Sequence, residues 1–144
     1  MNFEIYIDEL TELKNRRYLL EKGEEILKNW KEGTFIIFDL DNFKEINDKF
    51  GHLKGDEVLK GISKILYAVF EGENNEVLRY AGDEFIIITK IKDRSTIEEK
   101  SKKLLETIRN YPYGIDYGLG KINLGASMGI SNFPEDGFSI QELF

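Results

Sequence analysis

The chain predicts a mixed α/β domain (of the α+β kind) around a largely antiparallel sheet, and three observations predict it. Thr34-Phe35-Ile36-Ile37-Phe38 is a short unbroken apolar run, the mark of a central strand covered on both faces. Two further β-type runs, residues 77–80 and 85–89, are separated by Ala81-Gly82-Asp83-Glu84, and four residues with a glycine between such runs read as a hairpin. Around these runs lie segments whose apolar residues recur at helical spacing.

In chain order, Leu10, Leu13, Leu20, Ile26, Leu27 and Trp30 space a helix over residues 8–30, ended by Lys31-Glu32-Gly33. The apolar strand follows and stops at Asp39-Leu40-Asp41. Residues 43–50 read as a short helix closed by Gly51. After a loop over residues 52–55, Asp56 stands as N-cap of a helix that buries Val58, Leu59, Ile62 and Leu66. Residues 72–75 form a polar turn before the hairpin. Ser95 with Glu98 makes a capping box for a helix running to about residue 110. Residues 122–133 are the last strand, with Gly125 and Gly129 inside it. Pro134-Glu135-Asp136-Gly137 is a turn, and Ser139 opens another helix.

At 144 residues the chain suits one domain with a real core, residues 1–7 serving as a lead-in. It is 41% hydrophobic and 33% charged, the balance of a globular protein rather than a disordered one. A net charge of −7 argues against extended binding to nucleic acid or anionic membranes. An anionic substrate would need metal ions or a local cluster of bases. With no cysteine, disulfides and thiolate metal sites are excluded. The N-terminus lacks the basic and apolar regions of a signal peptide, and no apolar run approaches the ~20 residues that cross a bilayer. The expected compartment is the cytoplasm. Two prolines and no Ser/Gly-rich stretch leave no linker, and no internal repeat is visible.

The chemistry concentrates in two acidic pairs. Asp39 and Asp41 end the buried strand at i and i+2, so continued extension would put both carboxylates on one face. Carboxylates that close repel unless a cation or proton lies between them, and Mg²⁺ takes one or two carboxylates together with substrate phosphates. Strand-end carboxylates paired with lysine are the plainer alternative. Asp83 and Glu84 sit at the hairpin tip, where acidic residues are commonly just solvated. Here Phe85-Ile86-Ile87-Ile88 follows at once and holds the tip beside the core, while Gly82 would let a phosphate approach the backbone. Two acidic pairs at strand ends suggest a two-metal phosphoryl-transfer centre. An apolar strand followed by Asp-x-Asp also opens the haloacid-dehalogenase phosphatases, but Phe43-Lys44 after the second Asp fits that motif badly. No Gly-Lys-Ser/Thr occurs, so there is no P-loop.

Taken together, these segments resemble the GGDEF domain of diguanylate cyclases. The likeness begins with Asp8-Glu9-Leu10-Thr11-Glu12-Leu13-Lys14-Asn15-Arg16-Arg17 and continues through Phe38-Asp39-Leu40-Asp41-Asn42-Phe43-Lys44, Asn47-Asp48, Phe50-Gly51-His52 and Gly55-Asp56. It reaches the signature as Arg79-Tyr80-Ala81-Gly82-Asp83-Glu84-Phe85 and ends with Ser127-Met128-Gly129-Ile130. The resemblance implies a polymerase-palm-like sheet flanked by helices and the joining of two GTP molecules into cyclic di-GMP by a transient homodimer with Mg²⁺ or Mn²⁺. It implies metal ligation by Asp39, the Leu40 carbonyl and Asp83, with Glu84 assisting, and places Asp83 where a 3′-hydroxyl must lose its proton. Asn47 and Asp56 match guanine-reading positions, which suits an amide and a carboxylate facing guanine's donors and carbonyl. Phe43 and Lys44 would approach the phosphates, with Lys44 as a point charge, and His52 matches a position near the guanine. Arg16 and Arg17 are expected to tie the first helix to the domain. A sensor or receiver domain is expected in the native chain.

The chain departs from the family pattern in three places. Ala81 replaces the signature's first glycine; at positive φ an alanine would be strained by roughly 1–2 kcal/mol, and otherwise it is harmless. Gly72-Glu73-Asn74-Asn75 stands where product-inhibited members carry R-x-x-D, so a guanidinium clamp cannot form there. The family's next helix, which brings a lysine to the triphosphate, is expected after Phe144 and does not appear. The alternative to a cyclase is therefore a non-catalytic nucleotide-binding or interaction module of the same fold.

Overall fold

A computed structural model describes residues 3–110 and 124–144. Its spine is strand β1 (Gly33–Asp41), flanked by β3 (Glu84–Thr89) and β4 (Gly125–Phe133), with β2 (Asn75–Ala81) outside β3. The order is β2-β3-β1-β4 and every pairing is antiparallel. β1 runs three residues past the expected Phe38 because β4 keeps pairing with it, out to Asp41 opposite Gly125. Residue 122, expected to open the last strand, lies outside the described residues.

Alternation along β1 divides the core between two layers. Ile36, Phe38 and Leu40 face helices α2 (Phe43–Phe50), α3 (His52–Val69) and α4 (Arg94–Asn110), burying Ile46, Ile62, Leu66 and Leu104 with Phe85 and Ile87. Phe35 faces α1 (Arg16–Trp30) and the short α5 (Ile140–Leu143), among Leu19, Leu27, Ile86, Phe133 and Leu143. Covering on both faces is what the unbroken apolar run required. No helix among the described residues is long and apolar enough to cross a membrane.

Three helix starts differ from expectation, two of them because a side chain captures the backbone differently. α1 begins at Arg16, not near residue 8, capped by Asn15, whose Oδ1 accepts from the Tyr18 N–H at 3.0 Å. The segment before it is a hook. The Asp8 carboxylate accepts from the Thr11 N–H (2.9 Å) and hydroxyl (2.7 Å), and Glu12 takes a positive φ of 64°. Leu10 and Leu13 therefore mimic helical spacing without being helical. α3 begins at His52, directly after Gly51, so Asp56 lies one turn inside the helix and caps nothing. α4 is capped by Asp93, which accepts from Thr96 N–H and Oγ1, whereas Glu98 pairs with Arg94 instead of closing a box with Ser95. Ser139 does cap α5, accepting from the Glu142 N–H at 3.1 Å.

The hairpin is tighter than a four-residue loop. Ala81 pairs with Glu84, leaving Gly82-Asp83 as a two-residue turn, and the register slips between Arg79 and Ala81. The slip bulges β2 at Tyr80 and re-aims the strand end, a usual service of a bulge.

Candidate functional site

Everything the sequence points to gathers where β1 ends beside the β2–β3 turn. The Leu40 N–H donates to the Asp83 carbonyl at 3.2 Å, pinning the turn against the strand end. Asp39 lies opposite Glu84 in the β1–β3 register. Its carboxyl is held above the ordinary value of 3.8, by burial first and then by the charges of Asp83, Glu84 and Asp41. A bound cation would reverse that penalty. Among the described residues no three His, Cys, Asp or Glu side chains converge closely enough to hold a metal by themselves. The donor chemistry nonetheless fits Mg²⁺, which is satisfied by one or two carboxylates and completes its shell with phosphate and water oxygens.

On the other side of the turn a cleft of about 290 Å³ is walled by α2 and α3. Phe43, Lys44, Asn47, His52 and Asp56, the five residues expected to bind substrate, all line it together with Asp83. Asp39, Leu40 and Glu84 do not; they lie beside it on the sheet. Asp83 thus belongs both to the cleft and to the acidic group. Lys44 and His52 are exposed, Asn47 and Asp56 half-buried, and Phe43 is buried in the core. What Phe43 presents to the cleft is therefore the start of α2 more than its ring.

Leu59, Arg79 and Gly82 also line the cleft. Leu59 had read as plain core. Arg79 had carried no role, although an arginine inside an apolar strand between Leu78 and Tyr80 was a signal. Its Nε donates to the Gly82 carbonyl at 3.0 Å and its Nη1 reaches the Asp8 carboxylate at 3.1 Å. Its backbone N–H donates to the Lys14 carbonyl at 2.8 Å. One side chain thereby ties the hook to the turn. Of the two arginines expected to anchor α1, Arg16 does so, stacking over Tyr80 at 4.8 Å, while Arg17 pairs within the helix with Glu21.

The glycines sort themselves by space. Ala81 is not among the described non-glycine residues of positive φ, which are Glu12, Lys31 and Asn42, so alanine there carries no left-handed backbone strain. A Cβ on Gly82 would meet nothing within 4 Å, leaving that backbone open to a ligand. Gly55 is the opposite case: a Cβ would overlap the Asn47 Oδ1 and press the Phe43 ring at 3.3 Å. Gly55→Ala should therefore push the Asn47 amide out of place, lowering affinity for GTP, the ligand the resemblance implies, about tenfold in a binding titration (1.4 kcal/mol per decade). Unchanged affinity would show that Asn47 does not touch the nucleotide.

A larger hollow of about 760 Å³ lies between the hook, the end of α3 and the start of β2. It holds none of the residues expected to act, and size alone does not make a site. Gly72 and Asn75, from the R-x-x-D counterpart, are on its wall, with the Asn75 amide donating to the Glu71 carbonyl at 2.9 Å. With no arginine there, added cyclic di-GMP at low micromolar concentration should leave turnover of GTP, the substrate the resemblance implies, unchanged; inhibition at that level would show a product site made from other residues.

Residues 5–144 match the family profile described as "Diguanylate cyclase, GGDEF domain". Over 130 residues the chain is 35% identical to "Probable diguanylate cyclase DgcI" of Escherichia coli (strain K12), covering 90% of this chain and 27% of that protein. Over 141 residues it is 34% identical to "Cyclic di-GMP phosphodiesterase NbdA" of Pseudomonas aeruginosa, covering 94% of this chain but 17% of that protein. The chain thus spans well under a third of either relative. Among solved structures, a sensory box/GGDEF family protein from Caulobacter crescentus CB15 superposes with a TM-score of 0.76 at 31% identity, covering 96% of this chain and 90% of that one. The coiled coil and GGDEF domain of DgcB from the same species shares the fold, with a TM-score of 0.81 at 20% identity over 94% and 73% of the two chains.

Proposed function

This chain belongs to the GGDEF diguanylate cyclase family, and from that premise we propose that it condenses two GTP molecules into cyclic di-GMP, as a homodimer using Mg²⁺ or Mn²⁺. The observation that carries the reading is the position of Asp83, which lines the cleft of about 290 Å³ and also contributes charge to the Asp39 cluster. In the reaction the 3′-hydroxyl oxygen of one GTP attacks the α-phosphorus of the other. The bond to the β-phosphate breaks, pyrophosphate leaves, and the hydroxyl proton passes to Asp83 or through it to water. The same step in the opposite sense closes the ring and releases the second pyrophosphate. A divalent metal held by Asp39, the Leu40 carbonyl and Asp83, with Glu84 assisting, would neutralise charge on the α-phosphate and the leaving pyrophosphate.

The chain's own groups do the rest. Asn47 and Asp56 read the guanine edge, Lys44 attracts the phosphates, His52 stands at the mouth, and Leu59 gives the base an apolar wall. Two copies, each holding one GTP, must face each other. The relatives are several times longer, which supports a separate sensor or receiver domain that controls that pairing. GTP as the proposed substrate supports a cytoplasmic location.

A second reading is a nucleotide-binding module without turnover. Its support is that similar segments occur in proteins named cyclic di-GMP phosphodiesterases, NbdA among them. The deciding experiment incubates concentrated protein with GTP and Mg²⁺ and separates the products by chromatography, with Asp83→Ala alongside. Cyclic di-GMP from the wild type alone supports the cyclase. No product, with a Mg²⁺-dependent rise in melting temperature on adding GTP, supports the module.

A further inference from the structure

β1 stays extended to its last residue, so Asp39 and Asp41 do share a face, yet they serve different neighbours. The β1–β3 ladder ends at Asp39 opposite Glu84, and beyond it only β4 flanks β1. Asp41 turns to that side: its Oδ1 accepts from the Ser127 hydroxyl at 2.8 Å. Its Oδ2 lies over Gly125, where even an added Cβ would stand 3.5 Å away. The next residue, Asn42, is left-handed (φ 62°, ψ 19°) and makes no side-chain cap for α2. Non-glycine residues hold that conformation only when their surroundings fix it, with asparagine among the more tolerant. The fixing contacts lie on both sides: Leu40 to the turn, Asp41 to β4, and the Glu45 N–H donating to the Asn42 carbonyl at 3.1 Å. Everything α2 brings to the cleft (Phe43, Lys44 and Asn47) leaves from this one joint.

We propose that Asp41 is a positioning residue: through Ser127 it anchors the strand end so that the Asn42 joint aims α2 at the cleft, and it is not one of the metal-holding carboxylates. The proposal rests on the cyclase reading for what the cleft binds. Ser127 is exposed, so the bond sets direction more than it adds stability.

The test separates an oxygen acceptor from a charge. Asp41→Asn keeps an oxygen for the Ser127 hydroxyl and should leave the Mg²⁺ half-saturation and the KM for GTP within about twofold. Asp41→Ala and Ser127→Ala should each raise KM about tenfold while kcat changes less than threefold and the melting temperature barely moves. The double variant should be no worse than either single one, as expected for one shared contact. Asn42→Gly should behave as wild type, and Asn42→Val should raise KM as Ser127→Ala does while also lowering the melting temperature, because a β-branched residue is strained at that φ. Loss of the Mg²⁺ response in Asp41→Asn, matching Asp39→Asn, would overturn the proposal. If the wild type proves not to turn over GTP, the amide NMR spectrum of the free protein still decides. Ser127→Ala, remote from α2 in sequence, should shift the Phe43, Lys44 and Asn47 signals; the absence of those shifts would overturn the proposal independently of the cyclase reading.

Discussion

Replacing Asp83 by alanine is expected to lower cyclic di-GMP formation about 10³-fold, the range for removing a group that both directs proton transfer and helps hold a metal. The fold should survive, because Asp83 enters the turn through its backbone: its carbonyl accepts the Leu40 N–H whatever its side chain, and the side chain is only half-buried. The melting temperature should therefore move by no more than a few degrees. Binding should split from turnover. The cleft residues that read the base remain, so a GTP analogue titrated without metal should bind within about threefold of wild type (0.65 kcal/mol at the usual tenfold per 1.4 kcal/mol). A variant that keeps turnover would remove Asp83 from the chemistry and overturn its assignment as the residue that directs the proton.

The second large effect is on stability, and it carries the opposite sign to the usual loss on mutating a site. Asp39 holds its proton more tightly in the folded chain than in the unfolded one, because burial and then Asp83, Glu84 and Asp41 disfavour its charge. Such a group costs stability as pH rises through the unfolded value of 3.8, and the full penalty is present above the folded value. Asp39→Asn removes the penalty. At pH 7 the metal-free variant should melt about 2–5 °C above wild type, and the difference should disappear below the unfolded value. Mg²⁺ should raise the melting temperature of the wild type and leave the variant where it was. A variant that melts lower at pH 7 would mean that the carboxylate is paired with a cationic partner and that the acidic group is not a cation site.

The strands and most helices were legible because burial writes itself into periodicity. An apolar run without alternation, such as residues 34–38, has few folds open to it besides a doubly covered strand. The five cleft residues from Phe43 to Asp56 came from the family resemblance and not from any local pattern; the structure brings them to one cleft because two consecutive helices carry them. What stayed hidden were contacts made at a distance. Asp8 meets Arg79 across 71 residues, and nothing in either local segment announces the other. The hook was misread as helix since Leu10 and Leu13 fall on a helical stripe while the Asp8 carboxylate, by capturing Thr11, stops the helix from forming. The cap of α4 failed similarly, with Asp93 two residues outside the segment that the Ser95–Glu98 spacing singled out. Local hydrogen bonds of one short side chain decide such boundaries, and spacing patterns do not see them.

Gly51 ends α2 and immediately precedes α3, with φ 88° and ψ 163° and open space around it. The two walls of the cleft are thus two leaves on a single pin. Their angle is limited on the closing side by the Asn47 amide resting against Gly55, where no side chain intervenes. The width offered to a base is then a property of that angle rather than of any one contact. Adding bulk at residue 55 would prop the leaves apart, and stiffening residue 51 would hold them at a single gap, so discrimination between a purine and a smaller ring could be retuned without changing a residue that touches either.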